Sequence, residues 1–178
     1  MSSDRITDAK ARLRHKVWQR LDSVQAGRSG PVNGKIPNFH GANRAAEHLT
    51  AHPRWQKARV VKANPDKAQT EVRLGKGAGY SDIEMGLLAQ AGLVSDDTLI
   101  VTTVHELQVL DEPIPEAEHD VSVDLIVTPD GAISCPPRRR PSGISWEDLS
   151  EQKIAAIPIL QELRELAASD PEGPPHNR

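Results

Sequence analysis

The chain has 178 residues, of which 37% are hydrophobic and only 3% aromatic, which fits one domain with a modest core of Val, Leu, Ile and Ala. Its 22 basic and 25 acidic side chains leave a net charge of −3, which argues against a nucleic-acid or membrane surface. A single cysteine, Cys135, rules out an intramolecular disulfide, and no apolar run matches a signal peptide or a bilayer span, so a cytoplasmic protein is expected.

Apolar residues at Ile6, Ala9, Leu13, Val17, Leu21 and Val24 recur every three or four positions and predict an amphipathic helix. Gly27-Arg28-Ser29-Gly30-Pro31 breaks it, and Ile36-Pro37-Asn38-Phe39 reads as extended or turned. A helix is expected from Ala42 to about Ala51, closed by Pro53. Arg59-Val60-Val61-Lys62-Ala63 reads as a short strand, ended by Asn64-Pro65-Asp66. Ser81 or Asp82 is a good N-cap for a helix through Ala91, and Gly92 is its natural stop. The β-branched runs from Leu99 to Val104 and from Val121 to Thr128 read as strands. Pro129-Asp130-Gly131 signals a turn, with Ala132-Ile133 a short returning strand and the stretch from Cys135 to Pro141 a loop. A final helix starts near Ser145; Pro158 interrupts it and opens a second piece whose apolar face is Leu160, Leu163 and Leu166. Residues 1–168 form a single domain in this reading, and 169–178 a disordered tail. Strands alternating with helices predict an α/β fold with a mainly parallel sheet flanked by helices, and ligands at the carboxyl ends of its strands.

The chemistry centres on Arg73-Leu74-Gly75-Lys76-Gly77-Ala78-Gly79-Tyr80, followed by Ser81-Asp82. Alternating glycines let backbone amides approach an anion, and a helix start adds partial positive charge. Arg73 and Lys76 can neutralise phosphate, and Asp82 can hold magnesium against it. The spacing is neither a Walker loop nor a dinucleotide fingerprint, and a flexible turn before a capped helix explains the glycines equally.

The same stretch resembles the signature of 5-formyltetrahydrofolate cyclo-ligase, also called methenyltetrahydrofolate synthetase. Glu118-His119-Asp120-Val121-Ser122-Val123-Asp124 resembles the family's second signature, and Lys10-Ala11-Arg12-Leu13-Arg14 its N-terminal basic motif. Ile36-Pro37-Asn38-Phe39, Asn64-Pro65-Asp66-Lys67, Gly75-Lys76-Gly77 with Ser81-Asp82-Ile83-Glu84, and Gly143-Ile144-Ser145-Trp146-Glu147 are closer to the methenyltetrahydrofolate synthetase domain-containing branch. The resemblance implies a Rossmann-like fold of the type shared with sugar-phosphate isomerases and CoA transferases. It implies ATP- and magnesium-dependent closure of 5-formyltetrahydrofolate to 5,10-methenyltetrahydrofolate, by phosphorylation of the formyl oxygen, attack of a ring nitrogen and loss of phosphate. ATP and the folate would be the small-molecule partners. Lys10 and Arg14, with Arg73, Gly75, Lys76, Gly77, Gly79 and Tyr80, would bind ATP; Asn64 and Gln69 would contact the folate; Asp82 and Asp120 would bind magnesium. From spacing alone, Lys10 and Arg14 share one helix face that reads as solvated, and Asp120 beside His119 reads as a loop cap.

Ser81 stands where most cyclo-ligases have a second aromatic residue, and Gln69 where they usually carry glutamate. The family's long middle region is nearly absent: Ala68-Gln69-Thr70-Glu71-Val72 runs almost directly into the glycine run. An internal deletion would reduce the sheet, expose Val60, Val61, Ile100 and Val101, and favour self-association through an uncovered edge. It also raises the alternative of a non-catalytic member that binds nucleotide or a partner and has lost the folate pocket. His105, His119 and Asp111 match no zinc spacing, Cys135 has no evident base, Arg138-Arg139-Arg140 reads as a solvated loop, and Trp18, Trp55 and Trp146 read as packing anchors.

Overall fold

A computed structural model of the chain describes residues 3–62, 80–115, 120–135, 140 and 142–169. Where the sequence suggests one domain over 1–168, the chain divides into two compact units, Met1–Ile144 and Ser145–Arg178.

The first unit opens with helix α1, Ser3–Ser23, on the predicted stripe. Leu21 is buried with Ala26 and Val32, and Val17, Trp18 and Leu107 pack against them. The Asp22 carboxylate accepts the Val32 N–H at 2.8 Å, and the Trp18 indole donates to the Lys35 carbonyl at 3.1 Å. Trp18 is therefore the packing anchor expected of it. The segment 26–40 returns through an isolated bridge between Gly27 and Phe39.

Helix α2 spans Ala42–Ala51, as predicted, but Pro53 does more than close it. Pro53 opens a short helix α3, Pro53–Gln56, because its fixed φ and missing N–H suit a first helical turn. The His52 side chain caps that turn by accepting the Arg54 N–H at 3.3 Å. Gly41 enters α2 at φ 88°, and a Cβ there would lie 2.7 Å from Pro129 Cγ. Gly41→Ala should therefore lose about 1–3 kcal/mol of stability, from left-handed strain and overpacking, read as a fall in the urea midpoint.

Among the described residues, three strands form one sheet: β1, Val101–Thr103; β2, Leu125–Thr128; and β3, Gly131–Ser134, in that order. β1 and β2 are parallel, with Val101 opposite Leu125; β2 and β3 are antiparallel, with Leu125 opposite Ser134. The α/β expectation holds, while the sheet is mixed rather than mainly parallel. The turn at 129–130 is too short for a crossover, so β3 can only return antiparallel. One sheet face meets α2 in a core of Phe39, Ala45, Leu125 and Val127, with Ala42, Leu49, Leu99 and Val101 packed against it. Val101 is thus covered, contrary to the exposure the sequence suggested.

Residues 59–62 form no strand, and Val60 is 87% exposed. A β-branched pair makes a strand only where a neighbour accepts it. Helix α4, Tyr80–Gln90, starts just before the predicted caps, so Ser81 and Asp82 lie in its first turn; Gly92 then ends the segment at φ 68°. Gly86 sits where a Cβ would come within 2.9 Å of the Gly143 carbonyl oxygen, so glycine lets α4 touch that segment.

The second unit holds a 3-10 turn, Trp146–Asp148, then α5, Glu151–Ala156, and α6, Pro158–Ser169. Ser150 caps α5 through the Lys153 N–H, and Pro158 opens α6 as predicted. Leu160 is buried, but Leu166 is 63% exposed and drops out of the predicted apolar face. No described helix is long and apolar enough to cross a membrane.

Candidate functional site

Lys10 and Arg14 stand one turn apart on α1 and project to the same side of it. What they meet is the second signature. There Asp120, Ser122 and Asp124 are buried while Val121 and Val123 are half-buried. This is the period of two of an extended segment, with the polar residues on the inner face. Buried carboxylates persist only when paired, and both are.

The Lys10 ammonium donates to Asp120 Oδ1 at 2.6 Å and to Oδ2 at 2.5 Å. Both side chains are close to nine-tenths buried or more. Burial lowers the Arg14 pKa below the ordinary arginine value, and the Asp120 charge pulls it back up. An arginine keeps its proton at neutral pH, so these three side chains carry two positive charges around one negative.

Asp124, four residues on, belongs to a different device. Arg140 Nη2 donates to both its oxygens, at 2.8 and 2.6 Å, and to the Thr98 carbonyl at 3.1 Å. Arg140 Nη1 donates to the Ser122 carbonyl at 2.9 Å, and Asp124 Oδ2 accepts the Ile100 N–H at 2.7 Å. The guanidinium thus clamps the chain entering β1 to the segment that carries Asp120. Arg140 is not part of a solvated loop, as its basic run suggested; the Arg140 side chain is only 13% exposed. The signal for this pairing was the alternation Asp120-Val121-Ser122-Val123-Asp124, which places acids on one face and demands cations opposite.

Tyr80 is exposed at the start of α4, and Asp82 lies in its first turn, where an acidic side chain opposes the helix dipole. Asn64, Gln69, Arg73, Gly75, Lys76, Gly77 and Gly79, and also His119, lie outside the described residues. His105 caps the 3-10 turn Glu106–Gln108, accepting the Leu107 N–H at Nδ1, and sits edge-on to Phe39 at 5.9 Å. Among the described residues, no group of three or more His, Cys, Asp or Glu side chains is placed to hold a metal ion.

Residues 68–129 match the sequence model of the 5-formyltetrahydrofolate cyclo-ligase family; the match takes in α4, β1, Asp120 and β2. The methenyltetrahydrofolate synthase domain-containing protein of Bos taurus is 28% identical over 237 residues, covering 88% of this chain and 62% of its own length. That of Mus musculus is 28% identical over 239 residues, covering 88% and 63%. The Homo sapiens protein is 45% identical over 96 residues, covering 52% of the chain and 24% of its own length. The chain therefore spans a little over three fifths of the cattle and mouse proteins. Their aligned lengths exceed the 178 residues available here, so some of their residues have no counterpart in this chain. No solved structure matches it.

Proposed function

From this chain's similarity to the 5-formyltetrahydrofolate cyclo-ligase family and its methenyltetrahydrofolate synthase domain-containing branch, we propose that it binds ATP and closes 5-formyltetrahydrofolate to 5,10-methenyltetrahydrofolate. The observation that carries the reading is the Lys10–Arg14 pair on α1, two cationic side chains turned to one side of the helix beside Asp120. A buried lysine with a half-buried arginine one turn away favours an anion such as a triphosphate.

In the proposed reaction the formyl oxygen takes the γ-phosphoryl group and ADP departs. A neighbouring folate nitrogen then attacks the formyl carbon, the carbon–oxygen bond breaks, inorganic phosphate leaves and the nitrogen loses its proton. An amide oxygen is a poor leaving group, and phosphorylation makes it a good one. The transferring phosphoryl group needs chiefly positioning and charge neutralisation, which Lys10 and Arg14 can provide. In this proposal the glycine run 73–79 with Tyr80 cradles the phosphates, and Asn64 and Gln69 contact the folate. Magnesium is the metal in this reading, with Asp82 as its residue. Asp120 fits that metal poorly, since both its oxygens already meet the buried Lys10 cation.

The direct assay follows methenyl product by absorbance with 5-formyltetrahydrofolate, ATP and magnesium. Product formation that disappears in Lys10→Met supports the reading; absent product and absent ATP binding would sink it. The unmatched positions of the relatives and Gln69 in place of glutamate favour a second reading, a nucleotide binder without catalysis. That reading predicts ATP binding by calorimetry with no product.

A further inference from the structure

Resting on the ATP reading, we propose that Asp120 is a positioning residue that holds Lys10 toward the phosphates, and not a ligand of a divalent cation. Three observations carry this. Both carboxylate oxygens receive the same ammonium, at 2.6 and 2.5 Å, so a metal at either oxygen would have to share it with, or displace, the Lys10 cation. The pair is buried, at 9% exposure for Lys10 and 6% for Asp120, so a displaced ammonium would lose its counter-charge in a low-dielectric setting. Arg14 lies close enough to feel the Asp120 charge, so a dication approaching Asp120 would meet a second cation beside Lys10. Magnesium selects oxygen-rich sites with waters and carboxylates around it, and no cluster of three such side chains exists among the described residues.

The chemistry of the arrangement is that of an anion seat. Two of the three ammonium donors of Lys10 go to Asp120, which fixes the amine and leaves the third for a phosphate oxygen. Asp120 also gives the buried Lys10 ammonium its counter-charge, so that α1 folds without an unpaired buried lysine. A carboxylate that orients a phosphate-binding lysine acts through that lysine and touches neither phosphate nor metal.

The test uses the full chain and two readouts that do not depend on turnover. The first is the rate at which an amine-acylating reagent labels Lys10, read by peptide mass. In the wild-type chain this rate should be the same in saturating Mn2+ as in EDTA, because no metal displaces the ammonium. In Asp120→Asn it should rise about tenfold, the least that releasing a charge-assisted hydrogen bond allows. The second is Mn2+ binding by electron paramagnetic resonance, alone and at ATP concentrations that saturate each chain. It should change less than about twofold in Asp120→Asn and in Asp120→Glu, where losing a metal ligand or its support costs about tenfold or more. Asp120→Glu keeps the charge and should keep Lys10 protected, which covers the case in which the asparagine variant fails to fold. Lys10 exposed by Mn2+, or Mn2+ affinity lost in either variant, overturns the proposal. If ATP binds neither wild type nor variants while Lys10 protection still follows Asp120, the ATP reading fails and the Lys10–Asp120 assignment stands.

Discussion

Arg140→Ala lowers unfolding stability by about 3–5 kcal/mol, a large part of what a domain of this size has in total. The Arg140 and Asp124 side chains are 13% and 4% exposed, so solvent screens little of their interaction. Removing the guanidinium takes two hydrogen bonds from the Asp124 carboxylate, which keeps the Ile100 N–H, and takes a donor from the Thr98 and Ser122 carbonyls as well. A buried acceptor stripped of its partner loses its desolvation energy outright. Lysine should not rescue the loss, because one Arg140 fork reaches three separate groups and an ammonium is a point donor. Replacing both partners, as Arg140→Leu with Asp124→Leu, should recover much of the stability, since an apolar pair leaves no buried charge behind. Urea melts of the three variants check this ordering. An Arg140→Ala chain that melts with the wild-type midpoint would return Arg140 to the solvated loop suggested by its basic run.

Local signals in this chain were legible where the deciding physics is local. The stripe from Ile6 to Val24 and the Ala42 start of α2 follow from helical periodicity, and Pro158 at the head of α6 follows from proline's fixed φ. The strands were legible as runs but not as lengths. Residues 121–124 look like the start of β2, yet they lie outside the ladder and turn Asp120 and Asp124 toward Lys10 and Arg140. Val60 and Val61 have the composition of a strand and no strand, because pairing depends on a partner that the local sequence cannot reveal. The same division holds for the candidate site. Lys10 and Arg14 could be placed on one face from their spacing, but spacing could not distinguish a solvated face from a buried pair. That needed Asp120, 110 residues away along the chain. Its motif match suggested a metal; in the fold it receives the Lys10 ammonium.

Lys10→Met should reduce ATP affinity by about 10–100-fold, the range expected when a desolvated charge partner is lost. Methionine keeps most of the aliphatic length that packs along α1 and removes only the ammonium, so the loss reports charge rather than volume. The variant also leaves Asp120 buried without the donor that meets both its oxygens, and a moderate fall in stability accompanies the loss of binding. The two effects separate in Lys10→Met with Asp120→Leu. That double variant removes the orphaned carboxylate, so stability should return toward wild type while ATP affinity stays low. If Lys10 served only to satisfy Asp120 within the fold, restoring stability would restore binding as well. Calorimetric titration of ATP into the three chains, with urea melts alongside, therefore distinguishes a lysine that binds phosphate from one that only fills a core. The salt dependence adds an independent reading. A phosphate contact weakens as ionic strength rises, whereas the buried Lys10–Asp120 pair is screened far less.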